Sequence, residues 1–221
     1  MQVRSSRTNW IVGTFATLIA LAAAVLTPRA QAGAQIEESL SASVQASLQA
    51  AISDRAAPRL VFDSESDATA WLNEMSARLA TKIPDSTTRT DFLKTVHYEA
   101  SRAGLDPQLV LGLIQVESNF RKYAVSTAGA RGFMQVMPFW QKLIGTSEHN
   151  LFHLRTSLRY GCTILRHYLA IENGDLYRAL GRYNGSLGQP QYPNMVLAAW
   201  RGRWKYDRPK FAAASPATLV K

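Results

Sequence analysis

The chain has 221 residues, 47% of them hydrophobic, and a formal net charge of +9. That length suits one globular domain with extensions. The single cysteine, Cys162, excludes an internal disulfide, and no zinc spacing, nucleotide-binding glycine loop or nucleic-acid motif is present, so the excess charge points to anionic polymers or anionic lipid sooner than to nucleic acid.

Arg4 and Arg7 precede an apolar run from Trp10 to Leu26, followed by Ala30-Gln31-Ala32. A positive start, a short apolar stretch and a small-x-small site predict a secretory signal peptide over 1–32, and hence an exported, periplasmic protein. The alternative is an uncleaved membrane anchor, for which the run is near the lower length limit. Loss of Arg4, Arg7 and Arg29, with no acid, takes the charge from +9 to +6. No Cys follows the run, which argues against a lipid anchor. Residues 33–62 are rich in Ala, Ser and Gln and read as a spacer. Ile36, Leu40, Val44, Leu48 and Ile52 recur at helical spacing there but promise little burial.

The domain proper is predicted over 63–200. A helix from about Ser66 places Trp71, Met75 and Leu79 on one face and ends at Ile83-Pro84-Asp85-Ser86. Another runs from about Thr90 to Ala103, with Gly104 suited to a left-handed C-terminal cap. Asp106-Pro107 opens a third, with Asp as N-cap and Pro in the first turn. A short helix is expected around Trp140 and two more at about 155–171 and 175–182. With almost no period-two pattern, the fold is expected to be mainly α. Residues 201–221 form a basic aromatic tail. In Trp200–Lys210, Arg201, Arg203, Lys205, Arg208 and Lys210 interleave with Trp200, Trp204 and Tyr206. The aromatics either pack on the domain while the charges face water, or the tail offers a surface for anionic wall strands or membrane.

The stretch VESNFRKYAVSTAGARGFMQVMP contains one carboxylate, Glu117, and no other Asp or Glu lies between Pro107 and Ser147. Glu117 shares a helical stripe with Val110, Leu113 and Ile114. An apolar surround with no neighbouring cation raises a carboxyl pKa, and a Glu neutral near pH 7 can give a proton and take one back. The plain alternative is a Glu at a helix end that reaches water. Ser126, Gly129, Gly132 and Gln135 tip the balance. The glycines allow close ligand approach, Ser and Gln hydrogen-bond, and Met134 and Met137 offer adaptable apolar walls. Arg182-Tyr183-Asn184-Gly185-Ser186 adds an aromatic ring and an amide, a chemistry suited to N-acetylated sugars. His149 and His153 stand four apart but read as a surface pair. No metal or cofactor is expected.

Glu117-Ser118-x-Phe120, Ala124-Val125-Ser126 and Gly129-Ala130-Arg131-Gly132-Phe133-Met134-Gln135-Val136-Met137-Pro138 resemble the soluble lytic transglycosylases, whose SLT domain lies in the lysozyme-like superfamily. Leu105-Asp106-Pro107, Asn150-Leu151, Gly161, Leu165 and Tyr183-Asn184-Gly185 extend the resemblance over about residues 90–198. It implies a lysozyme-like α-helical domain and cleavage of the β-1,4 bond between N-acetylmuramic acid and N-acetylglucosamine in peptidoglycan, with a 1,6-anhydromuramyl product. It assigns Glu117 as acid and base, and Ser126, Gln135, Met137, Tyr183 and Asn184 to lining the glycan site or orienting the Glu. Tyr183 is the expected hydrogen-bond partner near the carboxylate. Where the family often has Tyr-Asn-Ala-Gly, this chain has Tyr-Asn-Gly-Ser, and Ser157 stands where Asn is frequent. A goose-lysozyme-like hydrolase and a non-catalytic peptidoglycan-binding module stay open. Wall turnover and service to a secretion system are not separated.

Overall fold

A computed structural model describes residues 35–207. The predicted leader with its cleavage site, and Arg208 and Lys210 of the tail, lie outside the described residues. Eight helices are present among them: α1 (Ala42–Ser53), α2 (Glu65–Leu79), α3 (Ser86–Arg102), α4 (Pro107–Ser118), α5 (Phe139–Ile144), α6 (Leu154–Ile171), α7 (Leu176–Asn184) and α8 (Gln191–Arg201). Among the described residues extended pairing is confined to isolated bridges, Val125 with Arg131 and Arg131 with Val136. The mainly α expectation therefore holds.

Local chemistry sets the helix starts. The Ser64 hydroxyl accepts from the Asp67 N–H at 3.1 Å, and the Asp106 carboxylate from the Gln108 N–H at 2.7 Å, with Pro107 in the first turn. Asp85 accepts from the Thr88 N–H at 2.7 Å, so α3 begins at Ser86 rather than near Thr90. Ile83-Pro84-Asp85 ends one helix and caps the next. Trp71, Met75 and Leu79 are buried on one face of α2 as expected.

α4 is the central helix. Val110, Leu111, Leu113 and Ile114 have no exposed surface, so the helix is apolar nearly all round and must be enclosed. α8 packs along one side of it and α3 along another. Gly112 permits the α8 contact, because a Cβ there would stand 3.0 Å from the Trp200 nitrogen. α8 was not anticipated. Gly188, Pro190 and Pro193 disguise its start, although Pro is compatible with a first helical turn.

The segment read as a spacer is in part structured. α1 buries Leu48 and Ile52 and packs against α5 and α6. What fixes it is polar. Glu99, fully buried on α3, receives Arg159 at 2.8 Å, Arg102 at 3.1 Å and Arg155 at 3.3 Å. The same arginines donate to carbonyls at the end of α1: Arg102 to Ala51 at 2.7 Å, Arg159 to Ile52 at 3.1 Å and to Asp54, and Arg155 to Ala56. These arginines and carbonyls lie 51 or more residues apart, beyond the reach of a local periodic reading.

Candidate active site

Glu117 closes the last turn of α4. Asn119 and Phe120 follow at φ 50° and 63°, an uncommon pair of non-glycine residues in the left-handed region. They stop the helix and turn the chain. Packing holds the strain in place: the Phe120 ring meets Phe92 at 5.9 Å and Trp204 at 5.4 Å between centroids. Ser118 donates to the Phe133 carbonyl at 2.7 Å and ties the helix end to the loop that follows.

That loop, 124–136, folds on its own backbone. The Ser126 hydroxyl accepts from the Ala130 N–H at 3.1 Å. Gln135, at φ 47°, donates its amide to the Ala124 and Gly132 carbonyls at 3.0 and 2.9 Å. Arg131 and Val136 exchange backbone bonds at 3.0 Å. Gly132 is at φ +77°, and a Cβ on it would lie 2.3 Å from the Leu151 carbonyl oxygen. Ser126 and Gln135 thus hold the loop's shape, and Gln135 is buried in doing so.

Two helices pin the loop from behind. Ser157, the departure from the family Asn, accepts from the Met134 N–H at 3.2 Å. Gly161 makes room for the Met134 side chain, whose sulfur would be 2.4 Å from a Cβ. Tyr183, fully buried on α7, donates to the Met134 carbonyl at 2.7 Å. Gly185 takes the left-handed cap of α7 at φ 74°, so Tyr-Asn-Gly-Ser closes the helix with its own glycine. Asn184 lies beside it and donates to the Ser186 hydroxyl at 3.1 Å.

The carboxylate's hydrogen-bond partner differs from the expectation. Tyr192 of α8, buried, donates its hydroxyl to Glu117 Oε1, while the Tyr183 hydroxyl is engaged by Met134. α8 carries Tyr192, Val196 and Ala199 on its buried face, a helical spacing that would have revealed an inward-facing tyrosine had the prolines not obscured the element. Glu117 is 5% exposed, and its Oε2 is buried with no hydrogen-bond partner. Burial pushes its pKa up to about 8, with the Tyr192 hydrogen bond opposing. Among the described residues no second carboxylate acts on it. Glu99 is held by its arginines, and Glu172 by Arg178 and Arg182. The site therefore presents an acid with one oxygen fixed and the other without a hydrogen-bond partner.

The other candidates are structural. Burial raises the Cys162 thiol pKa, which fits a small core residue and not a nucleophile. His149 hydrogen-bonds Tyr160 at 2.6 Å, and among the described residues no cluster of three metal-ligating side chains occurs. Trp204 is buried and donates to the Gln115 side chain at 2.7 Å. Arg201, Arg203 and Lys205 are exposed, so the start of the tail packs through its aromatics.

Residues 94–193 match the transglycosylase SLT domain family model. The chain is 32% identical over 111 residues to the transglycosylase of Enterobacteria phage PRD1, covering 47% of this chain and 41% of that protein. It is 51% identical over 47 residues to the membrane-bound lytic murein transglycosylase C of Actinobacillus pleuropneumoniae serotype 5b, covering 21% of this chain and 13% of that protein. The corresponding protein of Mannheimia succiniciproducens is 47% identical over 64 residues, 29% of this chain and 16% of that one. The chain thus spans less than half the length of these curated relatives. The matched segment runs from within α3 to the first turn of α8 and includes Glu117, the 124–136 loop, Tyr183 and Tyr192. Residues 94–193 of this chain are thus similar to the transglycosylase SLT domain.

Proposed function

We propose that the protein is a peptidoglycan lytic transglycosylase, cleaving the β-1,4 bond between N-acetylmuramic acid and N-acetylglucosamine, with Glu117 as acid and then base. The observation that carries this is the state of one carboxyl: buried, neutral up to about pH 8, held at Oε1 by Tyr192 and unpartnered at Oε2. Protonated Glu117 gives its proton to the glycosidic oxygen as the bond from the muramyl anomeric carbon breaks, and the bonding pair leaves with that oxygen. The carboxylate then accepts the C6 hydroxyl proton while the C6 oxygen bonds to the anomeric carbon. The 1,6-anhydro ring results, and no water is consumed.

A single carboxyl suits this route. Hydrolytic glycosidases pair two carboxylates, roughly 5–9.5 Å apart according to stereochemical outcome, and no second one acts on Glu117 among the described residues. The attack is intramolecular, so the entropic cost of bringing in a nucleophile is largely avoided. Export to the periplasm, where the substrate lies, fits the predicted leader.

Mass spectrometry of digested purified peptidoglycan tests the reading. Anhydro-ended products are expected. Products heavier by one water would establish the hydrolase, and no cleavage would establish the binding module. Glu117→Gln in the full chain keeps the shape and removes the transferable proton. A fall in turnover of about 10²–10⁴-fold is expected, and wild-type turnover from the folded variant would overturn the assignment.

A further inference from the structure

Residues 35–40 precede α1 without regular structure, yet Gln35 is 4% exposed while Ile36, Glu37, Glu38 and Ser39 are exposed. One side chain is inserted and its neighbours are not. Its carbonyl oxygen accepts from the Met137 N–H at 3.4 Å, and its amide nitrogen is buried near the Tyr183 phenol without a hydrogen-bond partner. The buried phenol in turn feels the Glu117 charge. The resemblance places both Met137 and Tyr183 at the glycan wall, with the Tyr183 hydroxyl itself held by the Met134 carbonyl. We propose that residues 35–40 are an arm that fills the glycan cleft in the resting protein, with the Gln35 carboxamide standing where a sugar acetamido group binds, and that glycan displaces it. This rests on the reading of the Glu117 cleft as the glycan site.

The chemistry matches. A glutamine carboxamide and an acetamido group each present a carbonyl acceptor and an N–H donor on a short carbon stem, so one backbone N–H serves either. Glu117 is 5% exposed, although its reaction needs contact with a polymer.

The arm is built to open. Its further hold is the exposed pair between Glu38 and Arg182 at 3.1 Å, and such pairs are weak. α1 behind it is secured at its C-terminal end through Ala51 and Ile52, and by Gln45 donating to the Leu143 carbonyl at 2.6 Å. Beneath it runs a groove of about 750 Å³ lined by Val44, Leu48, Arg102, Thr163 and His167. Thr163 is buried there with its hydroxyl unpartnered. With α1 held at Gln45 and at Ala51 and Ile52, the segment ahead of it can be released while the domain stays folded.

The experiment uses the full chain carrying Glu117→Gln, so that ligand is bound and not consumed, and peptidoglycan glycan strands freed of stem peptide as the probe. Amide hydrogen exchange of residues 36–40 is expected to speed up on adding strands. Gln35→Ala, in the same background, is expected to tighten apparent binding about tenfold if the closed arm dominates ten to one, with Glu38→Gln moving the same way by less. Strands that bind while exchange at 36–40 stays unchanged or slows, or a Gln35→Ala chain that binds no better, overturn the arm. Absence of binding with every arm variant instead removes the glycan reading of the cleft, and the arm with it. Loss of turnover alone bears on the acid-base assignment and leaves the displacement measurement intact.

Discussion

Glu117 holds its proton up to about pH 8, whereas a solvated glutamate releases it near 4.5. Between those values the folded chain binds one proton more than the unfolded chain at this site. The contribution is full below pH 4.5 and is lost as pH rises through 8, on the order of a few kcal/mol. His97 works in the opposite sense. Buried against Phe62 and Trp71, it is pushed down to about 4 and costs stability as pH falls below 6.5. The window from pH 6.5 to 8 therefore isolates Glu117, and thermal unfolding of Glu117→Gln should gain on wild type across it. Parallel curves would mean a carboxyl that ionises normally. Tyr192→Phe tests the same site from the other side. The tyrosine hydrogen bond lowers the Glu117 pKa, so its loss should reduce turnover and move the alkaline limb of the rate profile upward. A limb that moves down would contradict the assigned hydrogen bond. Tyr183→Phe is expected to act on the fold, because it leaves the buried Met134 carbonyl without its donor, at about 1–3 kcal/mol.

Among the elements, α1 and the 124–136 loop depend on contacts from outside themselves. Glu99→Gln would leave the arginines that fasten α1 facing one another, with Arg159 buried. Breaking a buried network from one side costs about 3–5 kcal/mol. Proteolysis should then attack the α1 region before the rest, and simultaneous unfolding would show that α1 is inseparable from the core. Gly132→Ala combines a left-handed backbone, about 1–3 kcal/mol by itself, with a collision against the Leu151 carbonyl. It should lower the melting temperature and turnover together, since the loop joins Ser118 at the end of α4 to Ser157 on α6.

Across the whole molecule, the charge excess is spread unevenly. Of the buried acidic side chains, Glu99 and Glu172 are paired with arginines and Glu117 is not, while Arg201, Arg203 and Lys205 stand exposed beside buried Trp204. Replacing these three by Gln should weaken sacculus binding at low salt and reduce its salt dependence, because exposed charge is screened over ~8 Å at physiological ionic strength. Unchanged binding at both salts would leave the segment as packing. Arg203 also donates to the Arg78 carbonyl, and Arg78 to the Lys205 carbonyl at 2.6 Å. The melting temperature must therefore be followed in parallel, so that loosened packing is not read as lost attraction.

The sequence by itself determined the α-helical class, the α4 start at Asp106-Pro107, the apolar stripe ending in Glu117, and the loop residues Ser126, Gly132 and Gln135. Each is a local matter of period, cap or permitted backbone angle, carried by neighbours in the chain. Tertiary structure decided which tyrosine meets the carboxylate. Tyr192 lies 75 residues from Glu117, on a helix whose start is masked by prolines, and only the close approach of α8 to α4 at Gly112 selects it over Tyr183. It also decided that a segment with few large apolar side chains is ordered, because the Glu99 arginines reach α1 carbonyls that no periodicity marks. Gln35 is the extreme case: an unremarkable polar residue in an Ala- and Ser-rich stretch, given meaning by the partly buried Met137 and the buried Tyr183 beside it.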